Sequence, residues 1–541
     1  MSSAAPHAEP LERVATAVEP WWRGASIYQI YPRSFCDSDG DGIGDLRGIT
    51  ARLDHVADLG VDAVWVSPFF TSPMRDFGYD VADYRNVDPS FGTLADFDAL
   101  VARAHGLGLK VLIDLVFAHT SDQHPWFVES RSSAANDKAD WYVWADPKAD
   151  GSPPNNWQSV FGGPSWTWDA RREQYYHHNF LKEQPQLNGH SPGVQQALLD
   201  IVRFWLERGV DGFRFDAVNF MMHDRKLTDN PPVASPTQRT RPFDFQHHFH
   251  NQSQPEILDF LERLRALCDS HGAAFALAEV GGEQAREEMA DYTAPGRLHS
   301  AYGFDFLYAD QLTPALVAES AGRWPDRPDM GWPSWAFENH DAPRALSRWV
   351  APEHAAQFAR TKMLLLAALR GSIILYQGEE LGLTQVEVPF ELLQDPEAIA
   401  NWPQTLSRDG VRTPMPWRAR EPGYGFTSGR PWLPFGADHA ALSVDTQAAD
   451  RHSMLHHTRD VIALRNAHPA LRWGSLEIIE AGDQKLVFER RRRGGERLRC
   501  TFNLSARPVT YVPAGRTTFS TGERVGSELK PYAALIEELT I

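Results

Sequence analysis

DGFRFDAVNF, Asp211 to Phe220, is a short apolar run in which an arginine and an aspartate, Arg214 and Asp216, stand two residues apart. Side chains two apart on a strand share a face, so the guanidinium stands beside the carboxylate. A cationic neighbour favours the ionised carboxylate, the state a nucleophile needs and a proton donor does not. Taken alone, the motif reads equally well as a buried structural ion pair. The rest of the chain decides.

Runs of similar character occur at Ser26 to Tyr31, Ala63 to Ser67, Lys110 to Val116, Gly212 to Asp216, Ala274 to Glu279, Gly303 to Leu307, Ser334 to Phe337 and Ser372 to Tyr376. Between them lie segments such as Gly48 to Leu59, Leu94 to Leu107, Val194 to Glu207 and Pro255 to His271, with apolar residues at helical spacing. Strands alternating with helices imply βα units and a parallel sheet. Eight of them predict a (β/α)8 TIM barrel, an α/β fold whose chemistry sits at the C-terminal ends of the strands. Two interruptions are too long for simple loops. One follows the third strand and contains WYVWADP, NNWQSVFGG and SWTWD; the other runs from Gly378 to about Trp417. From about Trp473 onward, alternating runs such as KLVFERRRR and LRCTFNL predict antiparallel strands. The expected division is a barrel over 1–116 and 192–470, a small inserted domain at 117–191, a loop insertion at about 378–417 and a C-terminal antiparallel β-sandwich at 471–541.

Asp plus Glu total 71 against 53 for Lys plus Arg, and the net charge of −18 argues against nucleic acid or anionic membrane as the main partner. Three well-separated cysteines, Cys36, Cys268 and Cys500, imply neither a disulfide framework nor a cysteine metal site. The first twenty residues lack the apolar core of a secretory signal, and no run is long and apolar enough to span a membrane. These features predict a cytoplasmic monomer or homodimer with a neutral, small-molecule substrate. The 18 Trp, 14 Tyr and 29 Phe supply faces of the kind that stack on sugars.

Three carboxylates stand at or just beyond predicted strand ends: Asp216 on the fourth, Glu279 after FALA on the fifth, and Asp341 in FENHD after the seventh. Raised around one mouth they repel one another, and their pKa values diverge. Glu279, with apolar neighbours and no adjacent cation in sequence, is expected to stay protonated and donate its proton. A nucleophilic carboxylate facing a protonated one at ~5 to 5.5 Å is the arrangement of a retaining glycosidase. Separately, DSDGDGIGD sets Asp37, Asp39, Asp41 and Asp45 around a glycine-rich turn, a hard oxygen set suited to Ca²⁺ or Mg²⁺. It lacks the bidentate Glu of an EF-hand loop.

From Trp21 to about Trp432 the chain resembles the α-glucosidases of glycoside hydrolase family thirteen, the α-amylase family, in the oligo-1,6-glucosidase-like branch. The resemblance rests on YQIYPRSFCDSDGDGIGDLRGI, VWVSPFFTSPMRDFGYDVADY, DLVFAHTSDQHPWF, NNWQSVFGG, QPQLN, GFRFDAVNF, AEVGG, ENHD, YQGEELG and RTPMPW. It implies Asp216 as nucleophile, Glu279 as acid/base and Asp341 as transition-state stabiliser. It places His119, Arg214 and His340 on the terminal glucose, with Tyr79 stacking beneath that sugar. Asp76 and Arg412 would pair across the 4-hydroxyl, and Phe161 and Phe180 would wall the pocket from the inserted domain. It also implies a structural Ca²⁺ or Mg²⁺ with Ile43 giving its carbonyl, and no organic cofactor.

Two departures stand near this set. Ala118 occupies the place of the Asn usual before the substrate-binding His, which removes an amide that would support His119, and Gln186 stands in QPQLN where Asp is common. Ala217, directly after Asp216, borders the leaving-group sugar in related enzymes, where Val accompanies α-1,6 specificity. The expectation is therefore a preference for short α-1,4-linked substrates such as maltose, with glucosyl transfer to acceptor hydroxyls open to the same mechanism. The alternatives are an oligo-1,6-glucosidase, or a transglucosylase or isomerase of the same family acting on sucrose or maltose. A non-catalytic transporter partner is disfavoured, because all three carboxylates are kept.

Overall fold

The computed structural model describes residues 19–234, 241–272, 274–322, 324, 331–404, 407–492 and 494–540, so most of the N-terminal stretch read for a leader lies outside the described residues. Eight parallel strands close a barrel: β1 (Ser26–Ile30), β2 (Ala63–Val66), β3 (Lys110–Val116), β4 (Gly212–Asp216), β5 (Phe275–Glu279), β6 (Ser300–Tyr302), β7 (Trp332–Ala336) and β8 (Ser372–Tyr376). Each pairs with its chain neighbours, and β8 returns to β1. All residues of β4, β5, β7 and β8 are buried, which is why these strands read as nearly continuous apolar runs.

The sixth strand lies earlier than expected. It occupies Ser300–Tyr302, not Gly303 to Leu307, because the chain turns after Tyr302 and Tyr308 donates its N–H back to the Phe304 carbonyl. Phe306, which made the later run look like a strand, instead packs edge-on against Trp335 and Phe337.

Helices Leu46–Asp58, Leu94–Gly106, Pro192–Glu207 and Ile257–Ser270 occupy the expected segments. Asp45 caps the first by accepting the Gly48 N–H at 2.7 Å, and Thr93 and Asp96 form a capping box on the second. After β3 the inserted segment folds a small antiparallel sheet of Trp144–Ala145, Gln174–His177 and Trp166–Asp169, packed around Trp157 and Trp166. C-terminal to the barrel, antiparallel strands build a five-stranded sheet starting at Ser475 and a three-stranded one. Buried Arg490 fastens this domain to the barrel, donating to the carbonyls of Ala368, Gly474 and Ser475. The three cysteines are free and buried, and no described helix is long and apolar enough to cross a membrane.

Candidate active site

Strand register assembles the centre. Asp114 on β3 lies across from Arg214 on β4, whose other neighbour is Leu277 on β5, so Asp216 and Glu279 end adjacent strands. Arg214, with no exposed surface, donates to Asp216 Oδ1 at 2.5 Å, to Asp114 Oδ1 at 2.8 Å and to the Tyr302 hydroxyl at 3.1 Å, and it also pairs with Glu279. The expectation that Glu279 has no cation beside it is therefore overturned, because a guanidinium two residues from Asp216 in sequence reaches across to the next strand. Glu279 also accepts from the Tyr302 hydroxyl at 3.0 Å and the Ala217 N–H at 3.0 Å.

Burial pushes the Glu279 carboxyl up to about 7, with Asp216 and Asp341 adding to the rise and Arg214 opposing it. Burial raises Asp216 and Asp114 as well, again against Arg214. A proton near neutrality thus belongs to a carboxylate cluster around one guanidinium, not to Glu279 by isolation. Asp341 differs. Burial alone would raise it, but His340, Arg412 and Arg408 hold it well below the usual carboxylate range.

His340 is buried, and burial drops its pKa to about 3. Gln29 donates to its Nδ1 at 2.8 Å, leaving the proton on Nε2, which faces Asp341 Oδ2 at 3.0 Å and the Tyr79 hydroxyl at 2.5 Å. That hydroxyl also reaches Asp114 at 3.1 Å, and the Tyr79 ring lies parallel to His340 with centroids 5.2 Å apart. His119 keeps its support without the missing amide: its Nε2 contacts the Tyr79 carbonyl at 3.0 Å and Gln184 at 3.1 Å, while Nδ1 is buried and unpartnered. Gln186 suits its place because it donates to the Phe220 carbonyl at 2.7 Å and accepts from Asn179 at 2.9 Å. A carboxylate could not do the first.

The expected Asp76–Arg412 pair does not form. Asp76 pairs instead with Arg408 at 3.0 Å, while Arg412 donates to Asp341 Oδ1 at 2.8 Å and to the His340 carbonyl at 2.7 Å. Arg408 also meets Asp341 at 3.2 Å and Asp395 at 2.8 Å, and its guanidinium lies 5.1 Å over the Phe161 ring. Phe180 packs edge-on to Phe161 and beside His119. Beyond the nucleophile position, Ala217 sits in the left-handed region at φ 41° and clusters with Ala118 and Phe220, flanked by Val160, Phe180 and Phe243.

Arg408, Asp395, Asp114, Tyr302, Gln29 and Gln184 were not singled out from the sequence. Asp114 carried a readable signal, a lone charge inside the apolar strand KVLIDLV. Arg408 carried another, lying four residues before Arg412 in RDGVR.

In the acidic loop, carboxylate oxygens of Asp37, Asp39 and Asp45 lie within 4.8 Å of one another. Asp41 is not part of that group; its Oδ1 accepts the Ile43 N–H at 2.8 Å. Gly42, at φ 96°, admits no side chain, since a Cβ there would meet the Arg430 carbonyl oxygen. Three converging carboxylates, of which Asp39 pairs with the exposed Arg47 at 3.3 Å, fit an oxygen-coordinated cation.

A family model described as the alpha amylase catalytic domain matches residues 29–474. The chain belongs to that family. A second model, a domain of unknown function (DUF3459), matches residues 474–536. A probable alpha-glucosidase of Rhizobium meliloti (strain 1021) is 54% identical over 512 residues, covering 92% of each chain. An oligo-1,6-glucosidase of Parageobacillus thermoglucosidasius is 35% identical over 531 residues, covering 91% of this chain and 92% of that one. Among solved structures, an alpha-glucosyl transfer enzyme, XgtA, superposes with a TM-score of 0.93 at 52% identity, covering 97% of this chain and 100% of that one. The protein is a glycoside hydrolase of the α-glucosidase and oligo-1,6-glucosidase-like kind within that family.

Proposed function

We propose that this enzyme is a retaining, exo-acting α-glucosidase that removes α-glucose from the non-reducing end of short α-1,4-linked substrates such as maltose and can pass the glucosyl group to other hydroxyls. The observation that carries this reading is the pair of carboxylates on adjacent strand ends, Asp216 and Glu279, bound to one buried arginine. Asp216 Oδ1 is held by Arg214, which leaves Oδ2 to attack the anomeric carbon. As that bond forms, Glu279 gives its proton to the glycosidic oxygen and the leaving sugar departs. In the second step Glu279, now ionised, takes a proton from water or an alcohol, whose oxygen displaces Asp216 from the sugar. Asp341, kept ionised, lies where positive charge develops on the ring. In all, six carboxylates (Asp76, Asp114, Asp216, Glu279, Asp341 and Asp395) surround three guanidiniums (Arg214, Arg408 and Arg412), a field suited to an oxocarbenium-like transition state.

The side chains next to Ala217 are apolar, which supports acceptance of alcohols in the second step as well as sugars. Ca²⁺ or Mg²⁺ would be held by Asp37, Asp39 and Asp45, where it would stiffen the loop after β1 and take no part in the chemistry. Proton NMR of the first-formed glucose tests the stereochemistry: the α-anomer is expected, and β-glucose would sink the role of Asp216. A kinetic panel of maltose, isomaltose, sucrose and trehalose tests the linkage, and an isomerised disaccharide as the main product from sucrose would favour the isomerase reading.

A further inference from the structure

We infer that Arg344 is a positioning residue for this reaction, a buried fork that sets Arg412 against Asp341 from behind the barrel mouth. The inference rests on the reading of Asp341 as the stabilising carboxylate. Arg344 lies three residues beyond Asp341, at the start of helix Ala345–Trp349, and touches neither Asp341 nor the carboxylate pair. Its guanidinium donates from Nη1 to Glu338 Oε2 at 3.0 Å and from Nη2 to the carbonyls of Gln377 at 2.9 Å and Val411 at 3.4 Å. It also lies 4.8 Å over the Tyr376 ring.

These contacts join three separate segments: the loop after β7 that carries Asp341, the end of β8, and the residue next to Arg412. Arg412 in turn donates to Asp341 and to the His340 carbonyl. One planar group therefore spans the base of the Asp341–Arg412 pair. The fork is itself fixed. Lys362 holds Glu338 at 2.6 Å and Glu379 at 2.8 Å, and the side chains of Arg344, Glu338, Lys362 and Glu379 are at most 1% exposed, so water cannot take over a lost contact. Gly378, at φ 86°, leaves the space the fork needs, since a Cβ there would come within 3.0 Å of Arg344 Nη2. A lysine could keep the charge beside Glu338 but not the two carbonyl bonds, because its ammonium is a point donor and not a fork.

Without those bonds the Val411 carbonyl is left with the Tyr376 hydroxyl at 3.3 Å, whose ring loses the guanidinium stacked on it. Arg412, still tied by its N–H to Asp409 and by its carbonyl to Ser34, loses the backing beside it, while Asp76, held by Arg408, and the Phe161 wall keep theirs. A displacement of about 1 Å at a charged group near the reacting centre costs on the order of 10²-fold in rate. The charged or titratable groups facing Asp341 are His340, Arg412, Arg408 and Arg214 on one side and Asp76, Asp216, Glu279, Tyr79, Tyr308 and Tyr376 on the other. Moving Arg412 away therefore also lets Asp341 protonate at higher pH.

The test compares Arg344→Lys, Arg344→Gln and Asp341→Asn in the full-length enzyme, with kcat and KM for an aryl α-glucoside followed across pH and scaled to the folded fraction. Both Arg344 variants should lose about 10- to 100-fold in kcat with KM little changed. Their acid limb should stay where the raised Asp216 sets it, because Asp341 lies too low to govern it. If Arg344→Lys keeps the parental kcat per folded molecule, the fork has no positioning role and the inference is overturned, even should Arg344→Gln fail to fold. If Asp341→Asn itself costs less than about ten-fold, the reading of Asp341 fails and this inference fails with it; if only the Arg344 variants are unaffected, that reading stands and the inference alone falls.

Discussion

Replacing His177 with leucine should make the inserted domain more resistant to acid. His177 is fully buried on the strand Gln174–His177, both of its ring nitrogens lack a hydrogen-bond partner, and the Trp157 and Trp166 rings flank it at 5.0 and 5.1 Å. Burial, with His223 and His178 adding, holds its pKa well below the ordinary value, so the folded protein keeps it neutral. An unfolded chain takes up that proton near pH 6.5, and the folded state refuses it. The imidazole is therefore neutral in its effect at pH 8 and increasingly destabilising below pH 6.5, by about 1.4 kcal/mol at pH 5.5 and about 2 kcal/mol at pH 5. Removing an unpartnered buried polar group contributes a further ~1–3 kcal/mol that does not depend on pH. Carboxylates raised by burial, such as Glu279, change stability with pH in the opposite sense, but they are common to both proteins and cancel in the difference. Hydrogen exchange of Trp166–Asp169 and Gln174–His177 at pH 8 and 5.5 measures the opening energy of this sheet. The advantage of His177→Leu should grow by about 1.4 kcal/mol between those two pH values. An advantage equal at both would refute a neutral, proton-refusing imidazole in the folded state.

Glu279 must be protonated for the first step, so kcat/KM should fall above about pH 7, ten-fold per unit, and a flat profile to pH 9 would remove it as the acid. Arg408→Gln strands Asp76, Asp395 and Asp341 with one guanidinium fewer; a loss of about 3–5 kcal/mol in stability and a raised KM are expected from urea melts and kinetics. Ala217→Val should shift turnover from maltose toward isomaltose and also lower the melting temperature, since a β-branched residue at φ 41° costs about 1–3 kcal/mol; an unchanged substrate ratio counts against the role of this side chain. Chelation should lower the melting temperature by loosening Asp37, Asp39 and Asp45 while leaving kcat at 25 °C intact, and no shift on adding Ca²⁺ or Mg²⁺ back would dismiss the ion.

Much of the barrel could be read from the chain because strands buried on both faces are largely apolar, and the bounds of β3, β4 and β8 follow the runs KVLIDLV, GFRFD and SIILY. The sixth strand slipped because a core-packed loop, GFDFL, carries the same composition as a strand. The convergence of Asp216 and Glu279 was legible because adjacent strand ends meet by geometry. Their electrostatics were not, since Arg214 chooses three acidic partners across two strand interfaces. The same limit applies to Asp76. Arg408 and Arg412 stand one helical turn apart in sequence, and nothing local says which of them faces which aspartate. Asp41 looked equivalent to its neighbours by spacing, but its oxygens do not converge with those of Asp37, Asp39 and Asp45.

On the proposed function, the two ends of a substrate meet different parts of this chain. Barrel ends and the segment around Arg408 and Arg412 would grip the glucose, whereas the apolar cluster of Val160, Phe180 and Phe243, from the inserted domain and the loop after β4, would line the side facing its partner. Substitutions in those peripheral segments are then expected to alter which acceptor is glucosylated without disturbing the buried charges around Arg408 and Arg412. A lineage of such enzymes can therefore diversify its products by drift in loops alone, with the costly interior left unchanged.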